Sequence, residues 1–215
     1  MEDRTFENLE NYIGRVMPQV ISCPREIVLD ALQAVCVDFF KETKVWLETF
    51  KTSLPGTNKT EKLDLSALIS QVYTSGSGSC AVLVSVESIR IDGITCGNAD
   101  YSVEGDTIIF YNLPDGGLGG TVAIEVILRP RRWSTIIPKD LMEEYGDVII
   151  AGTLAKLKVM HAGTVDEEEQ KSVTWSDQQT AAVYLEEYRH GVNKAKLRAH
   201  IVRGFNNSLV KPSRW

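Results

Sequence analysis

Residues 181–203 have the sequence AAVYLEEYRHGVNKAKLRAHIVR, in which apolar side chains recur every three or four positions. This period places them on one face of an α-helix, and a helix with a single apolar face is not stable alone in water. The segment therefore has to pack on other helices. We predict a helix that is capped by Ser176 and ends at about Arg203, before Gly204. Its apolar face consists of Ala181, Leu185, Tyr188, Val192, Ala195, Ala199 and Val202.

Two other segments, residues 24–50 and 138–160, show the same period. A proline stands at the start of each, which is typical of the first turn of a helix. Gly152 in the later segment allows a neighbouring helix to approach closely. The apolar faces consist of Val28, Leu32, Val35, Cys36, Phe39, Thr43 and Trp46 in the first segment, and of Leu141, Tyr145, Val148, Gly152, Ala155 and Val159 in the second.

The region between these helices has β character. Val and Ile are frequent in it, and Asp92-Gly93 and Glu104-Gly105-Asp106 are strong turn signals. The polar residues 51–62 predict a linker, and residues 66–79 are ambiguous. We predict strands at residues 81–92, 101–103, 107–111 and 121–128, with a loop at 113–120.

These elements predict an α+β protein, in which a helical bundle of three long helices carries an inserted small antiparallel β domain. Residues 1–52 would form an N-terminal arm and the first core helix, and residues 63–130 the inserted β domain. Residues 131–204 would supply two further core helices. Residues 205–215 would form a C-terminal docking tail.

The composition is typical of a globular protein, with 43% hydrophobic and 24% charged residues among 215. The net charge of −6 argues against a protein whose main task is to grip nucleic acid, because such proteins usually carry a basic excess. The charged N-terminus and the absence of an apolar run of about 18 residues predict a soluble chain without a signal peptide.

Enzymatic motifs are weak in this sequence. The glycine clusters at residues 75–79 and 116–120 precede strands, whereas a phosphate loop leads into a helix. The histidines, His161, His190 and His200, have no nucleophile motif beside them. The acidic run 166–169 lacks the ligand pattern of a calcium loop. We therefore predict no enzyme activity and no cofactor.

A metal site is not expected either. The four cysteines, Cys23, Cys36, Cys80 and Cys96, form no CxxC pair, and no histidine pair stands at metal-binding distance from them. We expect all four to be reduced thiols.

The C-terminus is the strongest candidate for a binding segment. A tryptophan follows an arginine there, and such a pair is typical of an anchor that fills a pocket on a partner. A frayed tail is the alternative. The candidate docking residues are Phe205, Leu209, Lys211, Arg214 and Trp215.

Several short motifs follow one another in a specific order between residues 24 and 204. They are Ile27-Val28-Leu29-Asp30-Ala31-Leu32 leading to Phe39 or Phe40, Thr43 and Trp46, then Pro130, Ile137-Pro138-x-x-Leu141, Ile150-Ala151-Gly152-x-Leu154, Trp175-Ser176-Asp177, Ala181-Ala182-x-Tyr184, Tyr188-Arg189-x-Gly191-Val192 and Lys194-Ala195. In this order the chain resembles the head-to-tail adaptors of tailed bacteriophages, also called connector or neck proteins. The acidic segment before Trp175 and the insertion at residues 66–79 depart from the family pattern.

The resemblance implies a structural virion protein in the neck, assembled in the host cytoplasm. It implies a ring of copies, typically twelve, that joins the portal protein to a tail or nozzle protein. Genomic DNA would pass through the lumen without sequence-specific binding, and no membrane would be involved. The C-terminal residues would dock on the portal. Another neck or tail-completion protein is the alternative, and a small enzyme of unknown type is a more distant one.

Overall fold

The computed structural model describes residues 5–53, 60–75, 78–97, 99–111, 121–160 and 177–208. These residues contain five α-helices, a short 3-10 turn and eleven strands in four antiparallel sheets. The helices are α1 (Glu10–Val16), α2 (Arg25–Thr43), α3 (Leu65–Val72), α4 (Lys139–Val159) and α5 (Gln178–Ser208). The strands are β1 (Phe6–Asn8), β2 (Leu47–Ser53), β3 (Glu61–Asp64), β4 (Thr74–Ser75), β5 (Gly78–Ser79), β6 (Ala81–Ile91), β7 (Ile94–Thr95), β8 (Tyr101–Glu104), β9 (Thr107–Phe110), β10 (Thr121–Pro130) and β11 (Ile136–Pro138).

The chain divides into two compact units. The helical unit consists of Met1–Val45 and Arg132–Trp215, and the β unit consists of Trp46–Arg131. In the helical unit α2, α4 and α5 pack on one another, and β1 pairs with β11. In the β unit the strand order is β2-β10-β6-β7 in one sheet and β3-β9-β8 in another, with β4 and β5 paired separately.

The predicted bundle of three long helices with one small β domain is wrong. Two of the five helices, α1 and α3, have only 7 and 8 residues, and the strands form four separate sheets. Two of those strands belong to the helical unit, where Phe6 pairs with Pro138. Sequence periodicity misses such elements, because a helix of two turns or a strand of three residues contains too few repeats to show a period.

The first long helix ends earlier than predicted. Lys44 adopts a left-handed conformation with φ 56°, and its amide donates a hydrogen bond to the Phe40 carbonyl, which closes α2. The sequence spacing predicts Trp46 on the apolar face of the helix. In the structure Trp46 lies in the core of the β unit, with its ring 5.4 Å from that of Tyr73. Its helical spacing was coincidental, because β2 starts one residue later and continues to Ser53, inside the predicted linker.

The central sheet of the β unit follows the sequence prediction more closely. The strands predicted at residues 81–92 and 121–128 correspond to β6 and β10. The two predicted turns also form, and their glycines, Gly93 and Gly105, have φ angles of 85° and 60°. A side chain is disfavoured in this left-handed region, so the backbone favours glycine at both turns.

Two glycines bring α5 close to the other long helices. A Cβ atom at Gly152 would lie 2.6 Å from the Tyr188 ring and 2.9 Å from Val35, and one at Gly191 would lie 2.5 Å from Val148. Tyr188 in turn lies 6.5 Å from Phe39 of α2, measured between ring centroids. The two glycines therefore allow the three helices to pack at short distance.

We expect Gly152→Ala and Gly191→Ala each to lower the free energy of unfolding by about 1–3 kcal/mol, because the added methyl group overpacks the helix contact. The matched control is Gly204→Ala, since a Cβ atom there would meet nothing within 4 Å. In that exposed helical position alanine should stabilise the protein by roughly 0.5–1 kcal/mol. Urea unfolding measures all three changes, and equal effects at the three sites would contradict the close approach.

The helix α3, which the sequence left ambiguous, starts at a capping aspartate. The Asp64 carboxylate accepts hydrogen bonds from the Ser66 hydroxyl at 2.7 Å and from the Ser66 amide at 2.8 Å. The hydrogen bond from the Ser66 side chain is the main reason why the pKa of Asp64 is lowered from its ordinary value of 3.8. The cap is therefore strongest when this carboxylate is ionised.

We expect Asp64→Ala to lower the free energy of unfolding by about 1 kcal/mol at neutral pH, through loss of the cap. Because the pKa of Asp64 is lower in the folded chain, its charge stabilises the fold fully above the unfolded pKa of 3.8. This stabilisation is lost as the pH falls through the pKa of the folded chain. The difference between wild type and Asp64→Ala should thus shrink in acid. Asp64→Asn, which retains a capping side chain, is the control, and a pH-independent difference would contradict the role of the charge.

Candidate interaction surfaces of the helical unit

The three long helices surround an apolar groove of about 1050 Å³. We call it the α2–α4–α5 groove, and its apolar lining includes Val35, Gly152, Ala155, Ala181, Leu185 and Tyr188. The space arises because small residues stand on α4 and α5 where larger ones would fill it. A concave apolar surface of this size is typical of a site for a small molecule or for a segment of another protein.

Several large side chains at the groove are open to solvent. Val159 is 61% exposed, Met160 is 42% exposed and Leu185 is 37% exposed. Single exposed apolar residues are common on protein surfaces, but three around one groove form a patch of the kind that marks interaction sites.

The charged groups of the groove lie mainly on α2. Glu42 pairs with Lys196 of α5 at 2.7 Å. Asp38 and Lys41 also line the groove, and neither has an ion pair within the described part of the chain. Charged groups without an ion pair among the described residues, Asp38 and Lys41, therefore stand at the groove, together with Lys156 of α4.

Tyr188 is the one ionisable group of the groove that the protein strongly perturbs. Burial is the main cause and raises its pKa above the ordinary value of 10.0, and the negative charges of Glu42 and Asp38 add to the effect. Its hydroxyl makes no hydrogen bond to the described residues. The Tyr188 ring thus lines the groove, and its phenol stays protonated at neutral pH.

The described residues include no group of three or more His, Cys, Asp or Glu side chains that could hold a metal ion. Among the same residues, no helix is both long enough and apolar enough to cross a membrane. Cys23, Cys36 and Cys80 are buried free thiols, and burial raises the pKa of each.

The predicted docking residues cannot be placed in this structure. Leu209, Lys211, Arg214, Trp215 and the side chain of Phe205 lie outside the described residues, so the docking tail stays a prediction. The helix before them is longer than predicted. Instead of stopping at Gly204, α5 continues to Ser208, since glycine ends a helix only where the backbone turns left-handed.

Other residues that the sequence raised as candidates have no clustered arrangement in the described chain. His190 and His200 are exposed on α5. His161, the acidic run 166–169, the glycines 116–120 and Ser176 lie outside the described residues. The cap of α5 is instead supplied by Asp177, whose carboxylate accepts hydrogen bonds from the amides of Gln179 and Thr180.

A second apolar surface, which sequence analysis missed, lies on α5 opposite its buried side. Val183 is 66% exposed, Leu197 is 63% exposed and Ile201 is 50% exposed. At 100° per residue these three fall about 160–200° away from the buried Ala181 and Ala199. We call this surface the outer face of α5 and define it by Val183, Glu187, His190, Lys194, Leu197 and Ile201. Its signal was visible in the sequence as a second set of residues spaced by four and three.

Comparison with known proteins adds no family assignment. No family model matches the chain, and no curated protein is significantly similar to it. The resemblance to head-to-tail adaptors therefore rests on the order of the motifs alone.

The raised pKa of Tyr188 predicts a loss of stability in alkali. Since the unfolded chain ionises Tyr188 near pH 10.0 and the folded chain only above that, the stabilising contribution is complete below pH 10 and is lost as the pH rises. Tyr188→Phe should leave stability at pH 7 nearly unchanged and should reduce the alkaline slope by up to about 1.4 kcal/mol per pH unit.

Urea unfolding between pH 7 and pH 11 measures this slope. The control is Tyr184→Phe on the same helix, whose hydroxyl lies outside the groove at 3.5 Å from Gln19. An identical alkaline slope in Tyr188→Phe and wild type would show that partial burial does not raise the pKa of Tyr188.

Proposed function

We propose that this chain is a structural subunit of a bacteriophage neck, namely a head-to-tail adaptor that joins the portal to the tail. The choice of the neck comes from the order of the motifs, and the structural observation that supports a role in assembly is the α2–α4–α5 groove. An apolar groove with exposed Val159, Met160 and Leu185 at its edge suits a protein that completes its packing by binding other proteins.

The motifs of the family resemblance occupy element boundaries that suit the proposal. Pro130 ends β10, and Pro138 immediately precedes α4. Gly152 stands where α4 meets Tyr188 of α5.

The proposal includes specific partners. The portal protein would bind the C-terminal segment, in which Lys211, Arg214 and Trp215 supply charge and an aromatic anchor. Further copies of the chain would form the ring, typically of twelve subunits, and a tail or nozzle protein would bind below it. Closed rings require head-to-tail contacts between two different surfaces of each subunit. The groove is one such surface.

The alternative within the same class is another neck or tail-completion protein. The difference between the two lies in the protein that the chain contacts directly. An adaptor binds the portal, whereas a lower neck protein binds tail components and not the portal. An enzyme of unknown type is the more distant alternative, and a defined substrate bound in the groove would favour it.

The direct test is mass photometry and cryo-electron microscopy of the chain alone and of the chain mixed with its candidate portal protein. We expect monomers for the chain alone at nanomolar concentration and a ring of subunits on the portal in the mixture. Binding to tail proteins without portal binding would place the chain in the lower neck. Binding to neither would overturn the adaptor proposal.

Removal of residues 209–215 tests the docking segment and leaves α5 intact to Ser208. We expect this truncated protein to keep its circular dichroism spectrum and melting temperature but to lose portal binding. The double variant Arg214→Ala, Trp215→Ala should reproduce most of the loss, because a few aromatic and arginine side chains usually dominate an interface. Ser213→Ala is the control that should bind normally. Normal binding by the truncated protein would show that another surface docks on the portal.

A further inference from the structure

The outer face of α5 has a regular spacing that continues over most of the helix. Its six members, from Val183 to Ile201, are separated by four, three, four, three and four residues. This is the period that keeps side chains in line along one side of an α-helix. The outer face of α5 has exposed apolar residues towards both ends and charged residues between them.

The charges of this face divide the helix into two halves. Glu187 lies on the N-terminal side of His190, and Lys194 lies on its C-terminal side. Neither Glu187 nor Lys194 has an ion pair with a described residue, and both are exposed. Neighbouring Arg198 differs, because it already pairs with Glu144 of α4.

This pattern is complementary to itself when one copy of the helix is reversed. If two α5 helices run antiparallel with their midpoints at His190, Val183 of one copy faces Leu197 of the other. Glu187 of one copy then lies opposite Lys194 of the other. The two-fold symmetry of the pair repeats both contacts. A parallel pair would instead place Glu187 opposite Glu187 and Lys194 opposite Lys194, which is repulsive.

We propose that two copies of this chain pair antiparallel through the outer face of α5, about a two-fold axis next to His190. The apolar contacts between Val183 and Leu197 remove exposed hydrophobic surface from water. The Glu187–Lys194 contacts fix the register and the orientation. The contact is isologous, since the same surface of each copy takes part.

The pairing is argued from α5 alone and does not rest on the proposed function. One pair of crossing helices buries less surface than the roughly 1,200–2,000 Å² of a stable protein interface, so the dimer is weak and dissociates at nanomolar concentration. Subunits of a cyclic ring contact one another through two different surfaces. The pair therefore differs from a ring contact, and it is proposed for the free chain.

Sedimentation equilibrium of the full chain from about 1 to about 300 µM tests the proposal. We expect a reversible equilibrium between monomer and dimer. Leu197→Asp should weaken association at least tenfold, because it places a charge in the apolar contact. Val159→Asp, an equally exposed substitution at the groove, is the control and should leave the dimer unchanged. Both substitutions are at solvent-exposed sites, and circular dichroism verifies that the variants are folded.

A charge exchange tests the antiparallel orientation. Lys194→Glu alone should weaken the dimer roughly tenfold, since each Glu187 then faces a glutamate of the other copy instead of a lysine. The double variant Glu187→Lys, Lys194→Glu restores opposite charges in the antiparallel register and should recover association to within about threefold of wild type. Additive weakening in the double variant would exclude this register.

Three results would overturn the proposal: a monomer at every concentration, a dimer that survives Leu197→Asp, or a dimer that Val159→Asp disrupts. The last would assign self-association to the α2–α4–α5 groove. Portal binding is measured separately, so a failure of the adaptor proposal and a failure of the α5 pairing give different results.

Discussion

Where α5 crosses α4, two glycines let side chains of one helix pack directly on the backbone of the other. Tyr188 lies on Gly152, and Val148 lies on Gly191, so each helix supplies a gap for a large side chain of its partner. This reciprocal contact fixes the separation of the helices and places the Tyr188 ring against Phe39 of α2. The packing of all three long helices depends on it, because a larger residue at either position would push them apart.

Other small residues next to this contact create the groove. Close to Gly152 the helices interlock, but beyond it Ala155 and Ala181 are too small to fill the space between α4 and α5. The apolar lining is left open at the surface, with Leu185 and Val159 at its edge. The groove is therefore a direct consequence of the helix packing, and not a separate feature added to it.

The length of α5 gives the helical unit a second surface. One side of the helix is covered by α2 and α4, while Val183, Leu197 and Ile201 remain exposed on the opposite side. A helix that served only the core would carry polar residues there. The charges between these apolar residues change sign at His190, and this reversal makes the outer face complementary to a second, antiparallel copy of itself.

The sequence by itself determined the long periodic helices α4 and α5, the strands β6 and β10, and the glycine turns at Gly93 and Gly105. Each depends on a local rule, either a repeated period or a backbone angle that only glycine adopts readily. It did not determine the end of α2, the short elements α1, β1 and β11, or the groove. Trp46 has the spacing of a helical residue, and only the core around Tyr73 assigns it to the β unit. Phe6 pairs with Pro138, and the groove joins residues of three helices, so both depend on contacts between distant parts of the chain that local sequence patterns do not record.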